Sequence, residues 1–165
     1  MKVNKFNTRD AANIPQTLRL KDPFTQQLIK EEDGSTLDIY VYGAKSDISR
    51  NALKNSQRKY GKTPTEDEAQ RSGAEYLAAL TQGWNKNIED DNGPIPFSFE
   101  NAVQLYMKQD WIAEQVGLFS RDIANYDPTR SGGLKFGSDN SPGSTQSQKT
   151  RTEKKEKGQE AESTS

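Results

Sequence analysis

The sequence predicts an α+β fold: a small N-terminal antiparallel β-hairpin or meander, then a bundle of about four helices, then a disordered C-terminal tail. Three observations predict it. Leucines and β-branched residues alternate with polar ones between Thr17 and Gly43. Apolar side chains then recur at steps of three and four after successive cap signals. Beyond residue 128 apolar residues almost vanish, leaving Leu134, Phe136 and Ala161 among Gly, Ser, Thr, Gln, Lys and Glu, a composition that cannot recover its ordering entropy by burial. The body is expected over 17–128, with 1–16 as a flexible arm and 129–165 as the tail.

In TLRLKD, Leu18 and Leu20 share one face of a strand, which Asp22-Pro23 ends. QQLIKEE is read as the second strand, closed by Asp33-Gly34, a dipeptide whose tolerance of positive φ suits a hairpin. STLDIYVYGAKS is the third, with Leu37, Ile39 and Val41 on one face and Tyr40 and Tyr42 on the other. A meander this thin, over 17–45, needs helices packed on it.

Ser46-Asp47 caps a helix at about 47–60, with Ile48, Ala52 and Leu53 inward. Thr65 and Glu68 form a capping box that opens a helix at about 66–84, whose stripe is Ala69, Gly73, Tyr76, Leu77, Leu80 and Trp84. Pro94-Ile95-Pro96 enforces extended chain before Ser98, the cap of a helix at about 99–109 with Phe99, Ala102, Val103 and Tyr106 on one face. Asp110 caps the last, at about 111–126, where Ile112, Val116, Phe119, Ile123 and Tyr126 make a stripe and Trp111 and Leu118 a second face.

Composition excludes whole classes of chemistry. The chain of 165 residues has no His and no Cys, so imidazole and thiolate sites, zinc centres and disulfides cannot be built. With 23 Lys and Arg against 24 Asp and Glu, it lacks the broad positive field that phosphate backbones require. No run is long and apolar enough to span a bilayer, and MKVNKFNTRDAA has no signal-like apolar stretch, so a soluble, cytoplasmic protein is expected.

Glu89-Asp90-Asp91-Asn92-Gly93 invites a calcium reading, but placing Gly93 at the turn of an EF-hand loop would make Ile88 and Phe99 ligands. A solvated turn is expected instead. The remaining carboxylates sit at caps and polar faces, and Gly132-Gly133 lacks the flanks of a phosphate loop, so no catalytic, cofactor or metal residue is expected. Arg50, Lys54, Arg58, Lys59 and Lys62 read as the solvated face of their helix. Met107, Trp111 and Leu118 are large apolar residues outside the main stripes, either closing the core between the last two helices or forming a protein-binding patch.

TEDEAQRSGAEYLAALTQGWNKN, followed by GPIPFSFENAVQLYMKQDWIAEQVGLFSRDIANY, resembles the tail assembly chaperones of long-tailed, siphophage-like bacteriophages. The shared pattern is a helix ending near a Trp, a polar Gly-containing loop, a Pro-aromatic-Ser approach to a helix, and a final helix before Asp-Pro. TLRLKDPFTQQLIKEEDGSTLDIYVYGAKSD is similar to the N-terminal part of such proteins, so the resemblance spans about 17–128. It implies a non-enzymatic factor of the host cytoplasm, absent from the finished virion, that binds and solubilises the tape measure protein and helps recruit tail tube subunits. Self-association is compatible with it, and in that family a frameshifted longer product often carries an added domain. Because the family has no fixed functional motif, the residues assigned to partner binding are the conspicuous ones: Met107, Trp111 and Leu118, with Trp84 and Phe97. The basic helix at 50–62 departs from the pattern.

Two other classes stay open. One is a virion structural protein, a head-tail joining or tail completion subunit whose hairpin adds a strand to a neighbour. The other is a nucleic-acid-associated regulator acting through the helix around Arg58.

Overall fold

The computed structural model describes residues 3–130; the expected tail lies, from residue 131 on, outside the described residues. The fold is α+β. A 3-10 turn at Val3–Phe6 leads into α1 (Thr8–Ala12), and β1 (Gln16–Arg19) and β2 (Asp38–Val41) follow. Next come α2 (Asp47–Tyr60) and α3 (Glu66–Leu80), then β3 (Thr81–Trp84). A short hairpin of β4 (Glu89–Asp90) and β5 (Gly93–Pro94) precedes α4 (Phe99–Lys108) and α5 (Asp110–Arg121), and a 3-10 turn at Ile123–Tyr126 closes the body.

The cap signals act as their chemistry requires. Ser46 accepts a hydrogen bond from the amide of Ser49, Ser98 from that of Asn101, and Thr65 and Glu68 bond reciprocally to each other's backbone. At α5 the cap is different. Gln109 holds that position without a side-chain bond, and Asp110 is the first helical residue, where its charge suits the helix dipole.

The sheet departs from the expected meander. Its order is β1-β2-β3, antiparallel throughout, with Leu18 opposite Ile39 and Tyr40 opposite Gly83. The third strand therefore comes after α3, from residues expected to continue that helix. Residues 26–32, expected as a strand, contribute only isolated bridges, Lys21 with Leu28 and Lys30 with Thr36. They lie in an excursion from Leu20 to Leu37, whose ends are joined by the bond from the Leu20 amide to the Leu37 carbonyl.

Nor is the N-terminus a loose arm. Ala12 is fully buried, the amide of Gly43 donates to its carbonyl at 2.9 Å, and Arg9 and Asn13 both bond the carboxylate of Asp47. Asn13 also accepts from the Asp47 amide at 2.8 Å, so α1 is clamped to the first turn of α2. Hydrogen bonding from Arg9, helped by Asn13 and opposed by desolvation, holds the Asp47 carboxyl below its usual range.

The core lies between the sheet face carrying Leu18, Leu20, Ile39 and Val41 and the inner faces of α3, α4 and α5. Leu80, Val103 and Val116 are its larger fully buried helical residues, and Ala74, Ala78 and Ala102 let the helices approach. The last expected stripe is cut after Arg121: Tyr126 still packs inward, its hydroxyl donating to the Val41 carbonyl, but Ile123 is exposed. Phe99, expected on an inward face, is also exposed.

Two tests follow from this packing. A Cβ at Gly43 would sit 2.7 Å from the Ala12 Cβ and 3.1 Å from its Cα, so Gly43→Ala forces α1 away. It should cost about 1–3 kcal/mol in urea denaturation and speed amide exchange in α1 before the core strands respond. The second concerns alkali. Burial raises the Tyr106 hydroxyl from 10.0 to about 12, with the Thr81 hydrogen bond offsetting part, and burial likewise raises Tyr126. Folding favours the neutral phenols, so this stability is complete below pH 10 and is lost as pH rises through 12. Ultraviolet titration should show two of the six tyrosines ionising only with unfolding.

Candidate partner-binding surfaces

α3 is the element around which the first surface forms. Its small residues allow close packing with α2 and α4, yet part of its length is left open. There Ala69, Gly73 and Leu77 line a cleft of about 570 Å³, with Leu53 of α2 on one side and Ala113 and Gly117 of α5 on the other. Most of the exposed lining is apolar. Leu53 is 55% exposed although its helix was expected to turn it inward.

Gly73 is the unusual member. It lies in mid-helix, and a Cβ built there would meet nothing within 4 Å. Glycine in a helix costs about 0.8–1.0 kcal/mol relative to alanine, and no packing within the described residues requires it. Gly117, by contrast, faces Leu77 and Arg121 at ordinary contact distances.

Asp110 and Glu114 of α5 line one margin, with Arg121 toward the end of the helix. On α2, helical spacing puts Arg50 one turn before Leu53 and Lys54 beside it, both exposed. The charged residues of the lining itself, Asp110, Glu114 and Arg121, are all on α5, and Arg50 and Lys54 lie outside it.

A second groove, of about 840 Å³, lies where the β4–β5 hairpin and the 31–37 segment meet the α4–α5 corner. Leu37, Ile88, Ile95, Leu105 and Ile112 form its apolar part, and Glu31, Glu89, Asp90 and Asp91 its lip. The hairpin is held by the Ile95 amide donating to the Ile88 carbonyl and by Asp90 accepting from the Asn92 amide at 2.8 Å. Gly93, at φ +110°, makes its tight turn.

Of the five residues singled out from the sequence, Trp111 alone lines either cavity, the second, with its indole donating to Gln109 at 3.1 Å. Met107 is half-buried against the core. Leu118 is 56% exposed on α5, outside both cavities. Trp84 and Phe97 form a pair of their own, edge to face at 4.9 Å, with the Trp84 indole donating to the Ile95 carbonyl. The five are thus not one patch.

Sequence reasoning missed Gly73 and Leu53, and it missed Phe24. Phe24 is 94% exposed at the apex of a loop tied by its own bonds: Asp22 accepts from the amides of Phe24 and Thr25, and the Gln26 amide donates to the Asp22 carbonyl. Those two backbone donors hold the Asp22 carboxyl below its usual range. The signal was present in Asp22-Pro23-Phe24, where a turn-forming dipeptide leaves an aromatic residue nowhere to pack. Among the described residues no cluster of three or more Asp and Glu is arranged to hold a metal ion, and no helix is long and apolar enough to cross a membrane.

No family model matches the chain, and no curated protein or solved structure matches it.

The open position at Gly73 has a direct test. Gly73→Ala should stabilise the protein by about 0.5–1 kcal/mol in thermal or urea denaturation, because it gains helix propensity without a clash.

Proposed function

We propose that the protein is an assembly chaperone that holds a helical segment of a long client. Its resemblance to phage tail assembly chaperones makes the tape measure protein that client and tail tube subunits its second partner. The reading places its action in the host cytoplasm and keeps it out of the finished virion. The observation that carries it is the open cleft over α3, whose floor at Gly73 is lower than the fold itself needs. An amphipathic helix seats its apolar stripe in such a groove, with anchors at i, i+3, i+4 and i+7. Its flank along α5 would carry basic residues toward Asp110 and Glu114.

A permanent virion subunit is the second reading, and Phe24 favours it. A lone aromatic residue on a stiff loop suits insertion into a neighbouring subunit.

Gly73→Leu separates folding from binding, since the leucine fills the groove from a position with free space around it. Co-expressed with the long helical protein encoded nearest to it, the native chain should co-purify with that protein. The variant should melt no lower and capture about tenfold less client, a loss of about 1.4 kcal/mol. Undiminished capture removes the cleft from the function. Mass spectrometry of purified particles decides the second reading: a fixed stoichiometry of this chain makes it a structural subunit, and its absence supports the chaperone.

A further inference from the structure

The second groove has a chemistry the first lacks. Glu31, Glu89, Asp90 and Asp91 line it against a single ammonium, that of Lys108. Among the described residues none of these four carboxylates is in an ion pair, although Glu75, Glu100 and Asp47 each are. Together they make the lip anionic. Below the lip the lining is mixed: Leu37, Ile95 and the half-exposed Trp111 ring offer apolar surface among Asn87, Asn101, Gln104 and Gln109, and Ile88 and Ile112 are buried. An aromatic face next to carboxylates attracts a cation twice over.

This combination narrows the occupant. Phosphate-bearing partners, nucleic acid or an anionic membrane, are repelled by the lip. A divalent ion needs converging oxygens, and these carboxylates are not gathered as a metal site. A small hydrophilic cation would leave the apolar wall uncovered. We propose that the groove docks a cationic segment of a protein partner, with lysine or arginine side chains on Glu31, Glu89, Asp90 and Asp91 and an apolar side chain against Leu37, Ile95 and the Trp111 ring. This inference stands apart from the α3 cleft and does not require the chaperone reading. It adds a second, electrostatically selective contact.

The probe is a short peptide of lysine, leucine and glycine, compared with its glutamate counterpart, titrated into the isotopically labelled full chain. The lysine peptide should bind saturably, shift the indole N–H signal of Trp111 (assigned with Trp111→Phe) and weaken steeply with added salt. Asp90→Asn with Asp91→Asn should weaken it about tenfold. The side-chain oxygen kept by Asp90→Asn can still accept from the Asn92 amide, so the turn persists; Glu31→Gln with Glu89→Gln repeats the test from two other positions on the lip. Gly73→Leu should leave this binding unchanged, which distinguishes failure here from failure at the cleft. Equal binding of the glutamate peptide, an unmoved Trp111 signal, the same shifts produced by calcium alone, or a Trp111 signal that moves with protein concentration would each overturn the proposal.

Discussion

The junction between Leu80 and Thr81 is the point on which the two layers depend. α3 runs into β3 with no intervening loop, so the last turn of the helix and the first strand residue share a few ångströms of backbone. Thr81 makes this possible by bonding in both directions, its hydroxyl to the Leu77 carbonyl at 2.9 Å and to the Tyr106 hydroxyl at 2.6 Å. The amide of Tyr42 donates to the Leu80 carbonyl, tying the same point to the end of β2. A helix terminus would ordinarily leave such carbonyls to solvent or to a glycine cap. Here the Thr81 hydroxyl takes the Leu77 carbonyl and the Tyr42 amide the Leu80 carbonyl, while Tyr106 of α4 bonds the Thr81 hydroxyl, so strand order, the seat of α4 and the direction of α3 are set together.

From that junction the rest follows through the economy of a small core. With 30% hydrophobic residues the chain cannot give each helix a broad apolar face of its own. α3 instead meets α2 through polar pairs, Ser49 with Tyr76 and Lys59 with Glu75, and meets α4 through alanines and the Arg71–Glu100 pair. Burial raises the Glu75 carboxyl, but Lys59 and Arg71, both bonded to it, outweigh this and leave the group below its ordinary range. Alanine and glycine on the remaining side of α3 bury little area themselves. The open cleft is therefore the consequence of a helix whose small residues serve its neighbours where neighbours exist and are bare where they do not.

Local chemistry made the helix starts legible: Ser46, Thr65 with Glu68, and Ser98 cap as their side chains dictate, and the alternation of Leu18, Leu20, Ile39 and Val41 marks the inner sheet face. What could not be read was set by distant partners. Leu77, Leu80 and Trp84 keep a helical spacing through the junction, so the turn into β3 has no local mark and exists because Thr81 meets Tyr106. QQLIKEE alternates like a strand, but both edges of β2 are already taken by β1 and β3. α1 is too short for periodicity to register, and its place comes from Arg9 and Asn13 reaching Asp47, 38 and 34 residues away. The candidate surfaces were hardest because the search followed large side chains. Trp84 and Phe97 satisfy one another and Met107 the core, whereas the cleft is shaped by the residues with the least to show.

α4 and α5 border both surfaces, and this decides whether the two can act separately. Tyr106 and Asp110 line the cleft, Leu105, Lys108 and Trp111 the anionic groove, so the corner between the helices is common to them. That corner is firmly held. Ile112 and Tyr106 are buried, Tyr106 is bonded to Thr81, and the amides of Ile112 and Ala113 both donate to the Gln109 carbonyl. Coupling between sites requires an element with two arrangements that each ligand biases differently. A corner bonded from both sides and packed on the sheet offers one, so occupation of the cleft and of the groove adds rather than multiplies. On the two proposals, a single copy would grip an apolar helix and a cationic segment at once without either contact weakening the other.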